Sequence, residues 1–268
     1  MTGPAVRHVK INGQDCRIWE RGEGEPIHWL ASSPMLLKWT AIHENISERA
    51  RLLVCSLPGF PGSRGHDLID DHLGWCLAAR DLLIASGFQP GGTLVGSSTA
   101  GALAADIAAL WPDFIGTLTL IAPHGIYEEG EPFADMFALP PKQAPSLLSS
   151  EPQRYASHIA PPEGTEPVLW QIEVARGNEA AARFLWPFGD TKVKTRLNRV
   201  KARTLVLWGT EDRIISAGYA NRFVEAIGAN ATAMLVPGGG HLVELDRPQE
   251  VTDAILSFVG DCVAPGEV

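Results

Sequence analysis

Residues 93–105 read Thr-Leu-Val-Gly-Ser-Ser-Thr-Ala-Gly-Ala-Leu-Ala-Ala. The short apolar run Thr93–Val95 has the character of a buried strand and stops at Gly96. A small-residue helical pattern begins near Thr99 and continues through Leu103, Ile107 and Leu110. Ser98 stands between them, with Gly96 two residues before it and Ala100 two residues after. A strand that reverses directly into a helix needs a tight turn, and the residue at its apex is pushed into a strained backbone conformation. Only small neighbours let the two elements approach so closely. This is the Gly-x-Ser-x-Gly nucleophile elbow with Ala in the last position. Ser98 is therefore a candidate nucleophile, although a serine ahead of a helix also serves as a plain N-cap.

Outward from the elbow, strands alternate with helices. Upstream, Val6–Ile11 and Cys16–Glu20 flank Asn12-Gly13, a hairpin signal. Pro26–Ala31 and Leu52–Leu57 read as strands, with helices expected at about Lys38–Arg51 and Leu68–Ser86. Downstream, Phe114–Ala122, Arg203–Trp208 and Ala231–Val236 read as strands, with helices at Ala217–Ile227 and Pro248–Val259. After the hairpin this rhythm implies a mostly parallel sheet with helices on both faces. Residues 125–200 break the pattern. They hold no good strand, many prolines, and the aromatic or sulfur side chains of Phe133, Met136, Phe137, Trp170, Phe184, Trp186 and Phe188. Helices are plausible at 168–177 and 178–186. A stretch this long without a role is uncommon, so it reads as an inserted helical cap, leaving 1–124 and 201–268 as the core.

The 268 residues suffice for one large α/β domain with an insertion. A net charge of −9 argues against general nucleic-acid affinity and against an anionic-membrane patch. Cys16, Cys55, Cys76 and Cys262 are too dispersed for a metal knuckle or redox pair and read as reduced thiols of a cytoplasmic protein. Met1–Lys10 has no apolar core of a signal peptide, and no run reaches membrane-span length. Ala264–Val268 reads as a loose tail.

A serine hydroxyl needs a base to take its proton, usually a histidine oriented by a carboxylate. In a parallel sheet such groups lie just beyond the C-terminal ends of strands. Gly209-Thr210-Glu211-Asp212 leaves one late strand and Pro237-Gly238-Gly239-Gly240-His241 the next. The order Ser98, Asp212, His241 follows, with Glu211 the rival acid. Other residues have plainer readings. His28 lies inside a strand and is structural. Asp70-Asp71-His72 starts a helix, where negative charge is favourable without a metal. No Gly-x-Gly-x-x-Gly opens a helix, so no phosphate-binding cofactor is expected.

Four stretches carry a family likeness: Leu94–Gly101, Thr204–Asp212, Gly239-Gly240-His241 and Leu57-Pro58-Gly59-Phe60. On these the chain resembles the α/β-hydrolase fold superfamily along nearly its whole length. The resemblance implies an eight-stranded, mostly parallel α/β-hydrolase sheet with an inserted cap. It also implies catalytic roles for Ser98, Asp212 and His241, and favours Asp212 over Glu211 through the Gly-x-x-Asp spacing. An oxyanion hole would use the backbone N–H of Thr99 and of Ser33, or of Ser32 if the loop is one residue shorter. Many relatives have His-Gly there, and this chain has Ala31-Ser32. Ser32, His124, Trp170 and Trp186 are candidate substrate contacts.

The leading expectation is a cofactor-free, metal-free serine hydrolase acting on a small or medium, partly apolar carboxylic ester, with a homodimer compatible with the sequence. The same branch resembles hydrolases that cleave carbon–carbon bonds in dienoic keto acids. A substrate of that kind carries a carboxylate and would call for a cation, such as Arg183 or Arg154. A non-hydrolytic lyase, cyclase or ligand-binding member of the fold is the third possibility. Haloalkane dehalogenases are disfavoured, because they place Asp where Ser98 stands.

Overall fold

The computed structural model describes residues 3–135, 138, 142–186 and 190–260. Cys262, the tail, and Met136, Phe137 and Phe188 lie outside the described residues. Eight strands form one open sheet: β1 (Ala5–Ile11), β2 (Gln14–Arg21), β3 (Pro26–Leu30), β4 (Arg51–Cys55), β5 (Gly92–Ser97), β6 (Ile115–Ile121), β7 (Arg203–Gly209) and β8 (Ala231–Val236). Their spatial order is β1-β2-β4-β3-β5-β6-β7-β8. β1 and β2 pair antiparallel, as do β2 and β4, and every later pairing is parallel. The expected sheet is the observed one.

Because β5 lies between β3 and β6, its C-terminal end is surrounded by the loops leaving both. Leu94 and Val95 are fully buried, as expected of a strand covered on both faces. Helix α1 (Ala41–Ser47) is shorter than its sequence suggests. Thr40 is extended and reciprocally capped with His43, and the chain has already turned before β4 begins at Arg51. Helix α2 (His72–Ser86) likewise starts four residues late, because Asp71 accepts from the Gly74 N–H at 2.7 Å and sets the first turn there. Helix α3 (Ser98–Leu110) follows β5 directly.

Between β6 and β7 the described residues form helices α4 (Ala144–Leu148), α5 (Pro152–Ile159) and α6 (Pro167–Leu185). The two helices expected at 168–177 and 178–186 are one helix of 19 residues. Gly177, where those two stretches meet, is the point at which α6 touches the core: a Cβ there would lie 2.2 Å from Ser33 Oγ and 3.1 Å from Pro61 Cδ. The glycine buys proximity, and the helix tolerates its conformational cost. The chain closes with α7 (Tyr219–Ile227), the short α8 (Val243–Asp246) and α9 (Pro248–Gly260). No described helix is long and apolar enough to cross a membrane.

The β5–α3 reversal depends on missing side chains. A Cβ at Gly96 would fall 2.5 Å from Ala104 Cβ and 3.1 Å from Gly101 Cα, and one at Gly101 would fall 3.0 Å from Pro123 Cβ. Ala100 is buried without such conflict, so the second obligatory glycine of the elbow is Gly101. Gly96→Ala should therefore lower the unfolding free energy by about 2 kcal/mol, the usual cost of overpacking. Gly130→Ala, where a Cβ meets nothing within 4 Å, is the neutral control in the same urea titration.

Candidate active site

Ser98 has φ of +50°, a left-handed conformation that a non-glycine residue holds only under constraint. That turn lifts its hydroxyl out of the end of β5. The oxygen lies 2.8 Å from Nε2 of His241. Nδ1 of the same ring lies 2.8 Å from Oδ2 of Asp212. Both the His241 and Asp212 side chains are fully buried. Residues more than a hundred positions apart in the chain are thus brought into one file of hydrogen bonds.

Each member is fixed from behind. Asp212 Oδ2 also accepts from Trp208 Nε1 at 2.9 Å, and Oδ1 accepts from the N–H groups of Ile214 and Ile215 at 2.8 and 2.9 Å. These bonds offset the cost of taking the carboxyl group out of water. Glu211, the rival acid, is exposed. The His241 loop packs tightly on the end of β7: a Cβ at Gly209 would lie 2.3 Å from the carbonyl oxygens of Gly239 and Gly240. Burial opposes protonation of His241. The charge and hydrogen bond of Asp212 outweigh it, with a contribution from Glu244, and hold the imidazole above its ordinary pKa.

Thr99 and the Ala31-Ser32-Ser33 loop face Ser98. The Ser32 N–H donates to Ser97 Oγ at 3.0 Å, so it is already committed. The Ser32 hydroxyl is buried without a partner. Ser32, Ser33, Ser98 and Thr99 together line a cavity of about 530 Å³. Its remaining wall comes largely from α4, α5 and α6, including Leu148, Tyr155, Val174 and Ala182. Among the described residues lining it there is no Lys or Arg, and the single charged group is Glu179.

The other sequence candidates sit elsewhere. His124 does not line this cavity. Its ring packs edge-on against His241, with centroids 5.5 Å apart. Burial, reinforced by the neighbouring His241, pushes its pKa well below the ordinary value, so it is a neutral spacer. Trp170 donates from Nε1 to the Ile159 carbonyl at 2.6 Å and lines a second hollow. Trp186 is 61% exposed and borders a polar hollow beside α2, because α6 ends just before it. Arg183 is held by Glu179, and Arg154 by Glu151 and the carbonyls of Leu245 and Asp246. Neither Arg lines the Ser98 cavity. His28 packs against Phe88 inside the sheet, and burial lowers its pKa to about 4.

Three features escaped the sequence reading. His72 Nε2 lies 2.7 Å from Asp106 Oδ2 and 3.6 Å from Cys76 Sγ, a grouping with donor atoms suited to a metal. Asp106 also receives Arg196 and Thr191, so its charge is already matched. Asp246, buried, accepts from the N–H of Gly240 at 2.8 Å and of Ser150 at 2.9 Å, and from the hydroxyls of Ser149 and Ser150. It ties the His241 loop to the α4–α5 junction. Glu244, 1% exposed, has no well-formed hydrogen bond to either carboxyl oxygen one helical turn after His241, with the Ser97 hydroxyl nearby. Burial pushes its pKa up to about 7, against the pull of His241 and the Ser97 hydroxyl. The i,i+3 step from His241 was the available signal for Glu244.

Sequence comparison bears on this arrangement. A family described as "Alpha/beta hydrolase family" matches residues 25–254. The chain is 27% identical over 289 residues to a 2-hydroxy-6-oxo-6-phenylhexa-2,4-dienoate hydrolase of Comamonas testosteroni, covering 96% of this chain and 97% of the relative. It is 26% identical over 280 residues to a dihydrolipoyllysine-residue acetyltransferase component of the acetoin cleaving system of Pseudomonas putida, covering 96% and 70%. Among solved structures, a membrane phospholipase A superposes with a TM-score of 0.76 at 18% identity, covering 98% of this chain and 88% of that one.

Glu244 gives a test of the site's electrostatics. Its folded-state pKa of about 7 exceeds the unsupported value of 4.5, so the folded protein holds the extra proton. The corresponding stability is fully present below pH ~4.5 and is lost as pH rises through ~7. Glu244→Gln should therefore gain about 3 kcal/mol on the wild type between pH ~4.5 and ~8.5. Denaturant unfolding at the two pH values measures it, and parallel pH dependences would refute the assignment.

Proposed function

The chain belongs to the alpha/beta hydrolase family, and from that premise we propose that it is a serine hydrolase cleaving a partly apolar carboxylic ester. The observation that carries this reading is the hydrogen-bonded file Ser98–His241–Asp212 opening onto a cavity whose described lining lacks Lys and Arg. His241 takes the proton of Ser98 as the hydroxyl attacks the ester carbonyl, and Asp212 stabilises the imidazolium that forms. The N–H groups of Thr99 and Ser33 receive the negative oxygen. The Ser32 N–H is bonded to Ser97, which supports Ser33 as the second donor. His241 then passes its proton to the departing alkoxide, leaving an acyl-Ser98. A water, deprotonated by His241, releases the acid and restores the hydroxyl. In this reading residues 125–200 act as a cap that keeps bulk water from the acyl-enzyme, over a core of 1–124 and 201–268.

Carbon–carbon cleavage of a dienoic keto acid has one point in its favour, the likeness to the Comamonas enzyme over almost the full length of both chains. The described lining offers no Lys or Arg to receive a substrate carboxylate, which favours the neutral ester.

A fluorophosphonate should add covalently to the wild type at Ser98, read by mass spectrometry of the peptide, and not to Ser98→Ala. Absence of the adduct would sink the nucleophile assignment. The rate profile tests the base. His241 must be neutral to accept the proton, so kcat/KM should fall on the acid side with an inflection above 6.5, the ordinary histidine value. Asp212→Asn should move that inflection down and lower kcat by roughly 10⁴-fold.

A further inference from the structure

The cavity at Ser98 does not end the apolar surface of the helical segment. A second hollow of about 480 Å³ lies between α5 and α6, lined by Ala156, Ile159, Ala160, Pro161, Trp170 and neighbouring α6 residues. Four residues, Ile159, Val174, Ala175 and Asn178, line both hollows. The two hollows therefore adjoin along these residues. On α6 the wall residues fall at 170/171, 174/175, 178/179 and 181/182, which is a single helix face.

The chemistry of the distal part is consistent along its length. It has no charged lining residue among those described, and only Gln171 and Asn178 are polar. The one polar atom of Trp170 is tied to the Ile159 carbonyl, and the Lys38 ammonium, bonded to the Ser157 carbonyl, lies 5.8 Å from the ring centroid. Beyond it the outer surface of α6 exposes Val168, Leu169 and Ile172. From Ala182, beside Ser98, to Trp170 is twelve positions, or ~18 Å of helix. An extended covalent chain covers ~1.2 Å per bond, so the groove accommodates about 15 bonds.

We propose that this groove is an acyl-chain subsite, and that the preferred substrates are neutral esters of linear acids long enough to pass from Ser98 along α6 to Trp170. The assignment rests on the hydrolase reading for what happens at Ser98, but the binding of the chain stands apart from the chemistry. Adjacency to the Ser98 cavity selects the occupant, because the described apolar surface leading away from Ser98 along α6 runs into this hollow. No Lys or Arg stands among the described residues lining either hollow, which disfavours anionic substrates.

The test uses Ser98→Ala with nitrophenyl esters from butyrate to tetradecanoate, Kd being read by calorimetry. Each methylene that enters the groove should tighten Kd by up to about fourfold, continuing past eight carbons to ~12. In the same background Ala156→Trp fills the distal hollow and should reduce the butyrate-to-dodecanoate Kd ratio at least tenfold. Should that variant unfold, Gln171→Lys places a charge on the exposed wall and should reduce the same ratio. A Kd that stops improving after butyrate, or a ratio unchanged by both substitutions, overturns the subsite. A steep gradient in Ser98→Ala alongside a wild type that turns over no ester upholds the subsite and overturns the hydrolase reading alone.

Discussion

Nothing larger than hydrogen fits at positions 96 and 101. Strand β5 and helix α3 leave Ser98 in opposite directions, and the two glycines allow their backbones to run past each other with Ala104 and Pro123 in contact. The positive φ of Ser98 is the price of that reversal. What it yields is a hydroxyl raised above the sheet at its centre, where the loops from β3, β6, β7 and β8 converge. Every other part of the site is placed relative to that one strained residue. The strain persists because both flanking elements are buried and cannot move apart to relieve it.

A fixed hydroxyl is useful only to an equally fixed base. His241 follows three glycines, a sequence with little conformational preference of its own. The rigidity comes from outside the loop: Gly209 packs beneath it, Asp246 accepts the Gly240 N–H, and His124 closes one side of the ring. Asp212 completes the arrangement, its two oxygens accepting four hydrogen bonds. Glu244 is the counterexample. It is equally withdrawn from water and only three positions after His241, but its carboxyl oxygens hold no well-formed hydrogen bond, and burial pushes the group toward its neutral form.

What could be read from the sequence follows from this division. The sheet and its order of strands and helices were legible because buried parallel strands are short apolar runs, and each one here is bounded by turn residues. The file of Ser98, Asp212 and His241 was legible because each follows such a strand in a loop with a distinctive glycine pattern. Helix boundaries were less so, since Thr40 and Asp71 overrode the apolar periodicity that ran past them. The substrate-contact candidates fared differently. Trp170 stands on α6 and Trp186 just past its end, and the helix's end and facing neighbours are set by tertiary packing, for which sequence carries no phase. The supports that matter most, Asp246 and the His72–Asp106–Arg196 group, join segments far apart in the chain.

Gly177 links the two halves of the molecule. A glycine at that point of α6 lets the helix descend onto Ser33, so the helix that walls the cavity also presses on the loop that faces Ser98. A side chain there would meet Ser33 Oγ and the Pro61 ring, so those groups would have to turn aside or α6 would have to rise. This close approach is the packing reason for a glycine in the middle of a helix, where propensity alone would disfavour it.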